Sequence, residues 1–530
     1  MAASGAPMHF TRFLLVCLAL PAPLRSQAPA PERAAGFETI TEQDVGIHLR
    51  NLAARVHEGR DSPSAGLARA ARYIAERFQE AGCEFATGDS FLWPFSRSLP
   101  APVAAECALS LAVEGAEPRA FELGRDFVPL AGCEGTAEGE LVYLGFGINS
   151  KREHYTEVDG RLSGKIALIV WGEPRHAKRF DGPEESPDAS LWVKLETLRD
   201  AKLAGVILAR RPPDPPKKAS DEEKEPPELS FRHTWATWAV ARMRTSLEDL
   251  PKDLPPAVEV TLECASALLG EDVAALAERA DRTVRPLKRE PRGRTVRLAS
   301  RTETREVPID NVVAVLRGSD PELAGQFVVI GAHYDHVGVD ERGRIGYGAD
   351  DNASGTAALI ELAQAFAAAR PRRSLLFAAF AAEEDGLLGS DALCKTPPVP
   401  LDAMVAMVNM DMLGRGDMDE VAVIGIVQNP GLEKVLDRSK RLARTGVKRV
   451  VVRQGEELFQ RFDHYSFHQV GVPALSFFEG LPIERNADYH TWRDTIERLD
   501  TDKITRTTRL VFNCAWILAS DDERPPAPRE

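Results

Sequence analysis

Between residues 311 and 381 apolar runs alternate with one long helix-period segment, and this alternation limits the fold more than any other feature of the chain. Phe327-Val328-Val329-Ile330 and Leu375-Leu376-Phe377-Ala378-Ala379-Phe380 lack the in-and-out pattern of a half-exposed strand, so they suit strands covered on both faces. Strands are predicted over 311–316, 326–331 and 374–381, with a helix over 353–369. That order favours an α/β domain with a mostly parallel central sheet flanked by helices. In such sheets functional loops sit beyond the carboxyl ends of the strands.

The rest of the chain divides by pattern. Residues 36–85 read as packing helices, the second over 67–81 and ended by Gly82. Strands over 139–144, 165–171 and 205–209, with a helix over 190–203, form a βαβ-like module. Residues 211–228, rich in Pro, Lys and acids, are expected to be an exposed loop. A charged connector is expected over 280–305, and a disordered tail past residue 520. The predicted organisation is therefore an N-terminal part of the main domain over 36–125, an insert over 133–265, the main domain over 285–520 and the tail 521–530.

At 530 residues, 44% apolar and 28% charged, the composition is that of a globular protein with room for several domains. A formal net charge of -14 repels phosphate backbones and anionic membranes, which argues against nucleic acid as a partner. Residues 1–28 read as a secretory signal: Arg12 precedes a short apolar run, and Ser26 and Ala28 offer a cleavage site. A secreted or periplasmic location is expected. That run is too short to span a bilayer and no later segment is apolar enough, so no membrane span is expected. Cys83, Cys107, Cys133, Cys264, Cys394 and Cys514 are too scattered for a disulfide framework or a Cys-rich metal site.

The chemistry-bearing residues fall where the sheet should place them. Gly331-Ala332-His333-Tyr334-Asp335-His336 ends one strand, and Gly348-Ala349-Asp350-Asp351-Asn352-Ala353-Ser354-Gly355 opens the helix. Capping explains one acid there, not two. Ala382-Glu383-Glu384-Asp385-Gly386 ends the next strand; three successive acids repel one another unless a cation sits among them or water surrounds them. A further strand over 403–410 ends on Asp411, and Asp488-Tyr489-His490-Thr491 adds another histidine. Distant elements that each deliver a His or carboxylate are how a metal site is assembled on a sheet.

These motifs, with Gly386-Leu387-Leu388-Gly389-Ser390, resemble those of the dizinc aminopeptidases, a family that includes the glutamate carboxypeptidase type enzymes. The resemblance covers roughly 310–519 and the early helices. It implies two zinc ions, with Asp351 bridging them, His333 and Asp411 completing one site, and Glu384 and His490 the other. It also implies a cis peptide at Asp351–Asn352, Glu383 as general base and Asp335 as the acceptor that orients His333. Residues 133–265 resemble a protease-associated domain, non-catalytic in the enzymes that carry it. Asp463-His464-Tyr465 fits the family pattern near a substrate pocket as well as it fits a capped turn; it, His336, His468 and Asp350 are assigned no role.

The implied activity is exopeptidase hydrolysis, with peptide or protein N-termini as the substrate of an aminopeptidase, because no arginine cluster can be placed beside the zincs to hold a C-terminal carboxylate. Three alternatives stay open: a glutamate carboxypeptidase type carboxypeptidase, a single-zinc glutaminyl cyclase-like acyl transferase and a non-catalytic binding relative. Oligomeric state is not legible.

Overall fold

The structure, a computed structural model, describes residues 1, 31–176, 178–180, 186–211, 253–339, 344–481, 483 and 486–529. The secretory-signal reading and all but Arg211 of the 211–228 loop lie outside the described residues. Arg211 is held by Asp281 at 2.8 Å.

Two large sheets organise the chain. At the centre of the first, Ser374–Phe380, Phe327–His333, Met404–Asp411 and Ala474–Phe478 run parallel in that order. This is the parallel core expected from the doubly apolar runs. Antiparallel pairings extend it on both sides, through Thr302–Leu316 at one edge and Glu420–Ile424 at the other. Period-two alternation sends Val328, Ile330 and Ala332 to one face and Val329 to the other. The first face is covered by Glu42–Leu52, Ala65–Glu80, Gly355–Ala369 and Thr501–Ser520. Phe467 and Leu393, from His464–Gln469 and Leu388–Lys395, pack on the second.

Leu92–Pro102 pairs antiparallel with Thr302–Leu316 over its whole length, from Val312↔Leu92 to Thr302↔Pro102. This ribbon carries the chain out to the second sheet and back. The second sheet has eight strands, beginning with Ala108–Val113 and closing with Arg294–Ser300. Its parallel centre is Gly135–Tyr143, Ile166–Val170, Gly205–Ala209 and Ala257–Val260.

The second body is therefore wider than 133–265. Residues 108–125, expected in the main domain, pair into it, and the expected connector over 280–305 contains its strand Arg294–Ser300 and the end of the helix Val273–Thr283. Arg294–Ser300 buries Val296, Leu298 and Ser300 and leaves Arg297 between them exposed, so no continuous apolar run announces the strand. The tail is a second correction. Arg524 donates to the Met404 carbonyl at 2.7 Å and the Arg529 amide to the Gln428 carbonyl at 2.8 Å, so backbone acceptors on the first body hold the chain in place. Among the described residues no helix is long and apolar enough to cross a membrane, and the six cysteines are free thiols.

Candidate active site

Five sequence-distant segments meet beyond the carboxyl ends of the parallel strands. Phe327–His333 ends on His333, and Asp335 and His336 follow it; Ser374–Phe380 leads into Glu383 and Glu384; Met404–Asp411 ends on Asp411. Asp351 lies in the turn before Gly355–Ala369, and its peptide to Asn352 is cis, as the resemblance implies. His490 arrives on the loop after Ala474–Phe478.

Asp351 presents one oxygen to each of two groups. Its Oδ1 lies 3.4 Å from His333 Nε2, which is also 3.3 Å from Asp411 Oδ1 and 3.9 Å from Glu383 Oε2. Its Oδ2 lies 3.1 Å from His490 Nε2 and 3.7 Å from His336 Nδ1. Glu384 completes this second group, with Oε2 2.9 Å from His490 Nε2 and Oε1 3.0 Å from His336 Nδ1. Each His and acid expected as a ligand is thus in the site, and His336, given no role from sequence, is in it too. Among the described residues, the two groups able to hold a metal ion are His333, Glu383 and Asp411, and His336, Asp351 and Glu384.

Asp335 does more than orient a histidine. It lies 3.6 Å from His333 Nδ1, in ion-pair rather than hydrogen-bond range. Its two oxygens accept the backbone amides of Glu383 and Glu384 at 3.2 and 3.4 Å. The same carboxylate thereby fixes the segment that carries both glutamates.

The protonation pattern follows from the company each group keeps. Burial raises the Glu383 carboxyl well above its ordinary value, and Glu384 and Asp411 add to this, outweighing His333. Burial and Asp351 also push on Glu384, but His490 and His336 hold it down at about 2. Asp411 rises to about 6 through burial, against the pull of His333. His490 rises to about 9, because Glu384 and Asp351 outweigh its burial. Two adjacent glutamates in one site are thus driven in opposite directions.

Residues that sequence reasoning missed hold this arrangement from behind. Arg60, 1% exposed, donates from Nε to the Tyr334 carbonyl, from Nη1 to those of Leu52 and Tyr347, and from Nη2 to that of Gly348, all at 2.7–2.8 Å. It belongs to the N-terminal segment read above as packing alone. Asp494 accepts the amides of Asp350 and Asp351 at 2.9 and 3.0 Å. Asp350 Oδ1 in turn accepts the Gly414 amide at 2.7 Å, tying the Asp351 turn to the chain beyond Asp411.

The donor set fits zinc: nitrogen and carboxylate oxygen, converging in two groups that share one carboxylate. Carboxylates buried this close together are costly without a compensating cation. A cleft of 980 Å³ opens beside them, lined by Phe95, Arg97, Glu383, Glu384, Leu388 and Tyr489. Such a volume suits a small ligand or a short stretch of peptide.

Comparison with known proteins finds relatives for the part of the chain that carries these residues. The model of peptidase family M28 matches residues 311–515. A probable leucine aminopeptidase of Arthroderma benhamiae is 30% identical over 210 residues, 38% of this chain and 57% of that protein. A probable zinc metalloprotease of Pyrenophora tritici-repentis is 29% identical over 268 residues, 42% of this chain and 53% of that one. The chain thus spans about half the length of these curated relatives. Among solved structures, an aminopeptidase from Aneurinibacillus sp. strain AM-1 aligns over 93% of this chain and 97% of its own, at 20% identity and a TM-score of 0.47. Residues 311–515, which hold all the converging acids and histidines, are a domain of peptidase family M28.

Proposed function

We propose that this protein is a zinc-dependent exopeptidase with two zinc ions, and that it acts as an aminopeptidase on peptide or protein N-termini. The observation that carries the reading is Asp351, which offers Oδ1 to the group of His333 and Asp411 and Oδ2 to that of His490 and Glu384. Relatives named as leucine aminopeptidases and zinc metalloproteases support it. In this reading the 1–28 segment directs export, and the second sheet is a protease-associated-like module that shapes access to the cleft.

Bound zinc supplies a nucleophilic water at neutral pH and a positive field for the anion formed as that water attacks the peptide carbonyl. The chain's own residues do the rest. Glu383, on the side of His333 and Asp411, would take the proton from the water and deliver it to the leaving amine. Asp335 holds the Glu383 and Glu384 amides, so base and ligand keep a fixed spacing.

The test separates these neighbours. Glu383→Gln cannot accept a proton, so turnover should fall at least about 100-fold with both zincs still bound. Glu384→Gln removes a charged ligand, so zinc content should fall first and activity with it. Metal content by elemental analysis is read beside hydrolysis of a leucine anilide. A Glu383→Gln rate within about threefold of the parent would falsify the mechanism.

A further inference from the structure

We propose that the free edge of the strand Leu92–Pro102, at Ser96 and Ser98, is a docking rail for the main chain of an extended peptide, the part of the substrate beyond the bond that is cleaved. The inference rests on the peptidase reading above and adds to it how a long substrate is held.

Three observations carry it. First, the register fixes which backbone groups are spare. The Val313 amide donates to the Phe91 carbonyl at 2.8 Å and the Val103 amide to the Arg301 carbonyl at 3.0 Å. Both pairs continue the register that runs from Val312↔Leu92 to Thr302↔Pro102. Hydrogen-bonded and non-hydrogen-bonded pairs alternate along an antiparallel ladder. The odd-numbered residues of this strand are therefore bonded to Thr302–Leu316, and the even-numbered ones turn their backbone groups away from it.

Second, the sequence closes that edge except at one place. Pro94, Pro100 and Pro102 all stand at outward positions, where a missing N–H breaks no ladder bond. The outward Leu92 amide is taken by Ser90 Oγ at 3.0 Å. Ser96 and Ser98 remain, two exposed residues that each offer an outward N–H and C=O. Among the described residues no second strand pairs with Leu92–Pro102. Prolines guard sheet edges against strand addition, and here they flank the open stretch on both sides.

Third, the open stretch faces the reaction. Phe95, Ser96, Arg97 and Ser98 line the same cleft as Glu383 and Glu384, and among the described residues none of Thr302–Leu316 does. Successive side chains of a strand point to opposite faces. A cavity that touches four in a row without touching the partner strand runs along the free edge. Arg97 is held to Asp385 at 2.7 Å, which ties the rail to the segment carrying both glutamates. Ser96 and Ser98 are about 7 Å apart along the strand, the repeat of alternate residues in an extended peptide. Main-chain pairing leaves the peptide's side chains unread, so the rail fits many sequences of one shape.

The test uses the full-length, zinc-loaded protein and a fluorescent hexapeptide whose first peptide bond is reduced, so that it cannot be hydrolysed there. Fluorescence anisotropy gives its affinity, and N-methylation of one later residue at a time removes single donors. Methylation at two residues, two apart, should each weaken binding at least about tenfold, and methylation of the residue between them less than about threefold. Ser96→Pro and Ser98→Pro each remove an outward amide, as the neighbouring prolines do, and should each weaken the unmethylated peptide at least about tenfold. Equal weakening at successive residues, no weakening at all, or unchanged affinity in a folded proline variant would overturn the rail and leave the peptidase reading standing. Alternating sensitivity in peptides whose ordinary amide counterparts are never cleaved would sustain the rail and refute the peptidase reading. A dimer in sedimentation that Ser96→Pro breaks, with peptide affinity unchanged, would give the edge to a second copy of the chain and overturn the proposal. The methylation series on the unsubstituted chain decides the question even where neither proline variant folds.

Discussion

Both bodies bury carboxylates near strand ends, and the two sets of acids keep opposite company. In the second body Glu157, just after a strand of a small two-stranded sheet, accepts the Tyr155 hydroxyl at 2.6 Å and the amides of Phe146 and Ile148 at 2.8 and 3.2 Å. Glu259 faces Arg210 at 2.8 Å. In the first sheet Asp351, Glu383, Glu384 and Asp411 face imidazoles and one another. An acid supplied with donors by its own fold is a finished structural element. Acids aimed at each other are completed only by something from outside, and a divalent cation does this at least cost.

The most drastic way to break this comparison is to remove one side of it. Pro102 and Thr302 are register partners in the ribbon, so a short turn can join them in place of residues 103–301. The shortened chain should fold and keep both zincs by elemental analysis, while its substrate range changes because the second body is gone. Loss of both ions from a folded deletion variant would show that the second sheet belongs to the metal site after all.

A single residue should produce the next largest effect. Arg60 is a buried cation that the fold places behind these acids, and burial lowers its guanidinium to about 10. Arg60→Met strands four buried carbonyls and removes the positive charge behind the acids. Unfolding stability of the metal-free protein should drop by about 3–5 kcal/mol. Arg60→Lys keeps the charge but not the fork, and should recover less than half of that loss. Denaturation of the three proteins decides it; a Met variant within about 1 kcal/mol of the parent removes Arg60 from the account.

What was legible in the sequence and what was not follows the same division. His333, Glu383, Glu384 and Asp411 could be placed because doubly apolar strands announce their own ends. His490 and Asp351 could be placed because their motifs stood in the order of the family that the chain resembles. Arg60 could not: its carbonyl partners Tyr334 and Gly348 lie 274 and 288 residues away, and an arginine after a short helix resembles any solvated cation. His336 offered one signal, its place beside Asp335, and that alone does not distinguish a ligand from a neighbour. The outer strands of the second sheet were missed because only alternate residues are buried: in Ala108–Val113 these are Leu109 and Leu111. Pairing partners far along the chain, not local propensity, make them strands.

The finest test of the comparison uses pH on the acid that the fold completes. Burial raises Glu157 from 4.5 to about 7, although Tyr155 and two amides pull the other way. Between those values the folded protein holds a proton that the unfolded chain has released. Its contribution is therefore present below about 4.5, and stability falls as pH rises through about 7. The loss across that window is about 3 kcal/mol. Glu157→Gln has no proton to lose, so its destabilisation relative to the parent should be larger near about pH 5 than near about pH 8 by that amount. Urea unfolding at the two pH values, on protein whose zinc content is checked to be that of the parent, reads the difference. An equal effect at both would mean that Glu157 stays ionised throughout, held by its three donors. A variant that lost zinc would erase the distinction between the two bodies from which the comparison began.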